Sequence, residues 1–152
     1  MGERRAIEHV DGTLIFQSAL DRKNEEEVAA LLGKAWNCQV NSFGALSPID
    51  WFAIRNGRPT AVLELKSRTH ASDKYPTVYL NVRKWLALSL ASIGMGIPAL
   101  FVVKFIDAVM WISIAEVDAR ITRMAGWPTT EKAKNDIEPI IQVYVDQMKE
   151  LR

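Results

Sequence analysis

The sequence has little that would place the protein in a membrane or outside the cell. It contains one cysteine, Cys38, so no internal disulfide can form. Residues 1–8 carry charge and no apolar signal-peptide core follows them, and no apolar run approaches the length that crosses a bilayer. We therefore expect a soluble, cytoplasmic protein in which Cys38 is a small buried apolar side chain.

An excess of charge of one sign is also missing. The 19 Lys and Arg residues nearly balance the 18 Asp and Glu residues, which leaves a formal net charge of +1. Any nucleic-acid binding must therefore come from a local basic patch. There is no internal repeat, low-complexity tract or Pro-, Gly- or Ser-rich linker, and 152 residues with 49% hydrophobic content suffice for one domain, 1–152, with its own core.

The most informative segment runs from Ser47 to Lys66. Asn56 and Gly57 tolerate the positive φ of a type I′ turn, and apolar, β-rich residues flank them, so the segment predicts a β-hairpin. Asp50 and Glu64 would then lie on neighbouring strands. Because side chains alternate along a strand, Glu64 and Lys66 share one face. Two carboxylates and an ammonium would converge there, and two acids suit a hard divalent cation such as Mg²⁺.

These residues resemble the signature of the PD-(D/E)XK nucleases. Pro48 and Asp50 match the Pro-Asp element, and Glu64, Leu65 and Lys66 match the (Asp/Glu)-x-Lys element. The order of predicted elements is similar to the αβββαβ core of that family over about residues 21–114. The resemblance implies an α/β fold with a central mixed sheet flanked by helices, as in restriction endonucleases and Holliday-junction resolvases, with residues 115–152 as a C-terminal extension.

The resemblance also implies a metal-dependent nuclease. Asp50, Glu64 and the backbone carbonyl of Leu65 would hold Mg²⁺ or Mn²⁺, and Lys66 would position the attacking water. The expected substrate is nucleic acid, with DNA favoured over RNA. Two other functions remain open: a degenerate domain of the same fold that binds nucleic acid or a protein without cleaving, and a hydrolase of another phosphate ester. A homodimer is a further expectation.

A helix is predicted from Asp21 or Asn24 to about Trp36, with a core face made of Val28, Leu31, Leu32 and Ala35. Many PD-(D/E)XK nucleases bring a glutamate from this helix to the metal. Glu25 is the first candidate because it shares the face of Val28 and Leu32, and Glu27 is the reserve. The alternative is a solvated acidic first turn without a role.

A basic segment follows the motif. Between residues 66 and 84, aromatic side chains, Tyr75 and Tyr79, are interleaved with candidate nucleic-acid contacts: Arg68, His70, Lys74, Arg83 and Lys84. A loop of solvated charges would look similar, and His70 is either a general base or a solvated side chain. Some relatives carry Gln-x-x-x-Tyr on the next helix. This sequence has Asn81 and Trp85 at that spacing, which puts the exonuclease-type subgroup in doubt.

The remaining elements are predicted from periodicity and turn residues. We expect a strand or extended arm near 13–16, a strand over 38–42, a polar loop over 67–77, a helix over 79–92 ended by Gly94 and Gly96, and a hairpin of 99–105 with 109–114. We expect irregular structure over 119–135, a strand over about 139–145 and a short helix capped by Asp146. The five tryptophans, 36, 51, 85, 111 and 127, are expected to anchor the core or an interface.

Overall fold

The structure is a computed structural model that describes residues 4–8, 14–43, 47, 49–125 and 138–152, with the backbone alone at 4–8, 14–21 and 125. Its strands are β1 (Arg4–Glu8), β2 (Leu14–Ser18), β3 (Gln39–Ser42), β4 (Trp51–Arg55), β5 (Arg58–Ser67), β6 (Thr77–Asn81), β7 (Ala99–Lys104), β8 (Val109–Ser113), β9 (Thr122–Ala125), β10 (Glu138–Tyr144) and β11 (Lys149–Glu150). The helices are α1 (Ala19–Trp36) and α2 (Val82–Met95), with 3-10 turns at Ile114–Glu116 and Val145–Gln147.

The main sheet has six strands in the order β11-β8-β7-β5-β4-β3. Strands β5 and β7 are parallel and the other pairs are antiparallel, so the sheet is mixed. A parallel pair needs a crossover connection, and β6 with α2 supplies it. Separate sheets join β6, β10 and β9, and β1 with β2. The predicted α/β fold with a central mixed sheet is confirmed, and β5 lies at its centre.

The hairpin of β4 and β5 sets the position of the motif. Asn56 and Gly57 have φ values of 52° and 73°, as the predicted type I′ turn requires. Trp51 pairs with Leu63, so Asp50, directly before β4, lies beside Glu64. Asp50 is thus one residue outside the strand on which it was predicted, and Pro48 of the motif lies outside the described residues.

Strand β5 divides the core into two clusters. Leu63 and Leu65 pack with Val28 and Leu32 of α1 in what we name the α1-side cluster. Val62 packs in the α2-side cluster, whose other buried members include Leu80, Leu88, Phe101 and Ile141. Since side chains alternate, Glu64 and Lys66 lie on the face of Val62 and point toward α2.

Helix α1 differs from its prediction in its start and in part of its buried face. It begins at Ala19, directly after β2, earlier than Asp21 or Asn24. Val28 and Leu32 are buried as predicted, but Ala29 completes the buried face, and Leu31 is 42% exposed. Ala35 is also exposed. The stripe that meets the sheet is centred on Val28 and Leu32, which turns Leu31 toward solvent.

Helix α2 begins at Val82, three residues later than predicted. Residues 77–81 form β6, which pairs with β10, and the alternation of Val78 and Leu80 into the core shows the strand period. Asn81 caps the helix by accepting a hydrogen bond from the Arg83 amide at 2.8 Å. Gly96 ends it in the left-handed conformation, with φ 67°.

Most other predicted elements are confirmed. The strand at 39–42, the loop after β5 and the hairpin of β7 and β8 all form, and residues 14–16 lie in β2. Residues 122–125 form β9 where irregular structure was predicted, because they pair with β10. The tail strand forms as β10, but a single 3-10 turn that contains Asp146 replaces the short helix.

The lone cysteine and four of the tryptophans pack against the core. Cys38 is half-buried against the α1-side cluster, and Trp36, Trp51, Trp85 and Trp111 lie in or against the two clusters, as predicted. Trp127 and the rest of 126–137 lie outside the described residues. Within the part of the chain that the structure describes, no helix is both long and apolar enough to cross a membrane.

Candidate active site

The two motif carboxylates meet around one ammonium group. Lys84, in the first turn of α2, places Nζ 2.8 Å from both Oδ1 and Oδ2 of Asp50. The same Nζ lies 3.7 Å from Oε2 of Glu64. Strands β4 and β5 bring the two acids together, and the α2 N-terminus carries the lysine to them. The predicted convergence of Asp50 and Glu64 is therefore present, but the ammonium that binds both acids belongs to Lys84 and not, as predicted, to Lys66.

Glu64 is an ionisable group in the core. Its residue is 5% exposed, and its Oε2 makes no hydrogen bond to any residue that the structure describes. Burial raises the pKa of Glu64 to about 7; Lys84 and Lys66 oppose the rise, and Asp50 adds to it. A buried carboxylate oxygen without a hydrogen-bond donor is costly unless a cation sits beside it.

Lys66 follows Glu64 on the same face of β5 and is half-buried. Loss of solvation lowers the pKa of Lys66, Glu64 opposes that shift, and Arg68 and Lys84 add to it. Its ammonium interacts electrostatically with the carboxylates of Glu64 and Glu138. An amine held beside a carboxylate site with donors to spare can bind a water or a phosphate oxygen.

The three glutamates of α1 have different surroundings. Glu25 is half-buried and within electrostatic reach of Lys84, whose pKa it helps to raise. Glu26 pairs with Arg22 on the exposed helix surface at 3.3 Å, and Glu27 pairs with Lys104 at 3.7 Å. Of the three, Glu25 thus has the electrostatic link to the site, which agrees with its predicted place on the inward face of the helix.

The donor set fits a hard divalent cation. Asp50 and Glu64 offer carboxylate oxygens, and Oε2 of Glu64 is buried beside a positive charge with no hydrogen-bond donor among described residues. Mg²⁺ and Mn²⁺ prefer oxygen ligands and keep several waters, so two carboxylates suffice as protein ligands. Among the described residues no group of three or more Asp, Glu, His or Cys side chains forms a cage. Leu65 can offer only its backbone carbonyl as a ligand, and its side chain packs in the α1-side cluster.

A cleft of about 490 Å³ follows the motif strand in the chain. Its lining residues come from the loop after β5 and from β6: Arg68, His70, Tyr75, Pro76, Thr77, Val78 and Tyr79. Arg68 is half-buried. Burial lowers the pKa of its guanidinium and the negative charge of Glu64 opposes that shift, so one residue of the cleft interacts electrostatically with the carboxylate pair. Most of the surface of the cleft is apolar or aromatic, and among the described residues the guanidinium of Arg68 is its one permanently charged lining group.

The aromatic side chains of the cleft are held by neighbours. The His70 ring lies 4.9 Å from the Tyr75 ring and 5.6 Å from the Phe105 ring, and its Nδ1 is 2.9 Å from the Ala71 carbonyl oxygen. His70 is thus packed in place, against the view of a solvated loop histidine. Lys74 Nζ lies 5.4 Å from the centre of the Tyr75 ring.

The predicted basic patch separates into parts. Arg68, His70 and Lys74 lie at or beside the cleft, whereas Arg83 is 80% exposed and pairs with Glu138 at 3.6 Å. Lys84 is bound to the two acids and is not a free surface cation. Asn81 and Trp85 are a helix cap and a packed core side chain, respectively.

Sequence reasoning missed one residue near the carboxylates and one at the cleft. Glu138, at the start of β10, is within electrostatic reach of Lys66. Arg123 in β9 donates a hydrogen bond to the Tyr79 hydroxyl, and its guanidinium carbon lies 4.7 Å from the centre of that ring. Both depend on the pairing of β10 with β6 and β9, which no local sequence signal encodes.

The central mixed sheet and the motif along its middle strand define a PD-(D/E)XK nuclease, an enzyme that hydrolyses phosphodiester bonds. Residues 14–151 match the model of a family described as "Phage putative PDDEXK endonuclease". The chain belongs to this family of phage-type PD-(D/E)XK endonucleases.

A solved structure supports the fold independently. The chain is similar to the Holliday junction resolvase Hjc of Archaeoglobus fulgidus, with a TM-score of 0.59 and 17% sequence identity. The match covers 88% of this chain and 93% of that one. At this identity the likeness shows the fold alone. No match is found among curated proteins.

Proposed function

We propose that this endonuclease cleaves DNA with Mg²⁺ or Mn²⁺ at the carboxylate pair of Asp50 and Glu64. The supporting observation is the buried Oε2 of Glu64, which has a cation beside it and no hydrogen-bond donor among described residues. Such an oxygen has a free acceptor position that a divalent cation can use, which supports a role in metal coordination. The name of the similar solved structure, a Holliday junction resolvase, supports DNA as the substrate.

The roles of the residues follow from their positions. Asp50, Glu64 and the Leu65 carbonyl would hold the metal, and Glu25 would join them directly or through a water. A bound divalent cation lowers the pKa of a coordinated water and neutralises charge that develops on the phosphate. Lys66 points along the same face as Glu64 and donates hydrogen bonds that orient the attacking water toward the phosphorus.

The cleft that Arg68 lines is our proposed path for the nucleic acid, because Arg68 is linked electrostatically to Glu64. Arg68 and Lys74 bind phosphate oxygens, and the rings of His70, Tyr75 and Tyr79 offer surfaces on which an unstacked base can rest. Arg83 extends the positive charge along the start of α2.

Cleavage assays test the proposed reaction. The protein would be incubated with Mn²⁺ and with linear, circular, single-stranded and branched DNA, and with matched RNA. We expect cleavage of circular DNA, which has no ends, and loss of cleavage in Lys66→Ala. Cleavage of RNA alone would overturn the choice of DNA. Binding without cleavage of any substrate would favour the degenerate alternative, and equal cleavage by Lys66→Ala would overturn the role of the lysine.

Salt-dependent binding tests the path. Arg68→Ala with Lys74→Ala should flatten the plot of log affinity against log salt by about one unit for each phosphate that the variant no longer neutralises. Arg58→Ala is the control, because Arg58 is exposed at the other end of β5 from Lys66. An unchanged slope in the double variant would place the substrate elsewhere.

Two broader expectations also belong to this proposal. A homodimer is supported by three exposed apolar side chains on one face of α2, Leu86, Leu90 and Ile93, the last 80% exposed. Sedimentation of wild type and Leu90→Glu would test it: wild type should sediment as a dimer and Leu90→Glu as a monomer.

A cytoplasmic location is supported by the single cysteine.

A further inference from the structure

Lys84 does not behave as the free phosphate contact that its place in the basic segment suggests. Its Nζ is 2.8 Å from both oxygens of Asp50 and 3.7 Å from Oε2 of Glu64, and its side chain is 28% exposed. Arg83, its neighbour on α2, is 80% exposed and pairs with Glu138 outside the carboxylate pair. Lys84 therefore directs its ammonium at the two proposed metal ligands.

Two carboxylates that face each other need a positive charge between them. Without one, their repulsion and the loss of water around Glu64 would favour opening of the site. The Lys84 ammonium supplies that charge, and its hydrogen-bond donors point at the oxygens that a divalent cation would use. An ammonium and a metal ion at the same oxygens would repel each other at short range.

We propose that Lys84 is an internal counter-ion that occupies the cation position between Asp50 and Glu64, so that Lys84 and a divalent cation exclude each other. This inference rests on the proposed metal site. Loading the site then requires the Lys84 side chain to leave it. Because the side chain is partly exposed on a flexible aliphatic stem, it can swing outward without unfolding α2. The released ammonium is then available to a substrate phosphate.

A permanent structural ion pair makes the opposite prediction. If Lys84 stays beside the acids when metal binds, its removal deprives the site of order and leaves metal affinity unchanged or weaker. If Lys84 competes, its removal frees the ligands and metal affinity rises. The sign of the change in affinity therefore separates the two roles.

Calorimetric titration with Ca²⁺, in the absence of nucleic acid, measures that sign. Lys84→Met keeps the length and apolar stem of the side chain and removes the charge. We expect it to bind Ca²⁺ about ten-fold more tightly than wild type, the equivalent of one charge-assisted hydrogen bond released before binding. Arg83→Met, the matched control, should leave the affinity of wild type unchanged. Equal or weaker binding by Lys84→Met would overturn the proposal.

Wild-type protein provides a second readout if Lys84→Met does not fold. Nuclear magnetic resonance of ¹⁵N-labelled lysine should show a hydrogen-bonded Lys84 ammonium that loses its protection from exchange with water when Ca²⁺ is added. Persistence of that signal in the Ca²⁺-saturated protein would refute the exchange. Failure of the metal site itself is distinguishable, because then neither wild type nor Lys84→Met binds Ca²⁺, and both the exchange and the proposed metal centre are wrong.

Discussion

Glu64 should make the metal-free protein less stable as pH rises. Its pKa is 4.5 ordinarily and about 7 in the folded protein, mainly because of burial. Between these values the folded protein holds a proton that the unfolded chain has released. The carboxyl group therefore contributes most favourably to stability below pH 4.5, and that contribution is lost as pH rises to about 7. The shift corresponds to at most about 3 kcal/mol in the free energy of unfolding.

Urea denaturation in the presence of a chelator can measure this loss. The free energy of unfolding would be compared at about pH 5 and about pH 8 in wild type and in Glu64→Gln, which cannot ionise. We expect wild type to lose up to about 3 kcal/mol more than Glu64→Gln over this range. Glu26→Gln is the control, since Glu26 lies on the exposed surface of α1. The reasoning is refuted if wild type and Glu64→Gln lose the same stability between the two pH values.

Three further predictions concern the reaction. Cleavage should require Mg²⁺ or Mn²⁺, stop in excess chelator, and fail in Ca²⁺ although Ca²⁺ binds; undiminished cleavage with chelator would contradict the carboxylate site. Asp50→Ala should lose both metal binding and cleavage, whereas Lys66→Ala should lose cleavage while calorimetry shows metal affinity within a few-fold of wild type. Glu25→Gln should lower the cleavage rate about ten-fold or more, whereas Glu26→Gln should leave it unchanged, because Glu25 alone of the two is linked electrostatically to the site; equal rates would remove α1 from the metal site.

The sequence predicted best the parts of the fold that depend on neighbouring residues. Asn56 and Gly57 determine their own turn, and the period of two in β5 places Glu64 and Lys66 on one face without further information. The errors lie in segments whose secondary structure depends on pairing with a strand that is distant in the sequence. Residues 77–81 became a strand because β10 pairs with them, about sixty residues later in the chain.

The candidate site follows the same division. The approach of Asp50 to Glu64 could be predicted from one hairpin, but the position of Lys84 depends on the packing of α2 across β5. In the sequence Lys84 and Arg83 are adjacent basic residues that cannot be told apart. In the first turn of α2 they point in different directions, Lys84 toward Asp50 and Arg83 toward Glu138. Glu138 acts electrostatically on Lys66 because β10 pairs with β6. The sequence predicted the strand β10 but not that β6 is its partner.

The division of the core by β5 has a consequence for engineering this enzyme. Val28, Leu32, Leu63 and Leu65 pack on one side of the strand, and the carboxylate pair with Lys84 lies on the other. Substitutions at Leu63 and Leu65 that improve packing in the α1-side cluster can raise thermal tolerance while backbone hydrogen bonds to β4 and β7 hold Glu64 and Lys66 in register, provided that α1 keeps Glu25 in its place. Heat resistance and catalytic rate can therefore be selected on opposite faces of one strand.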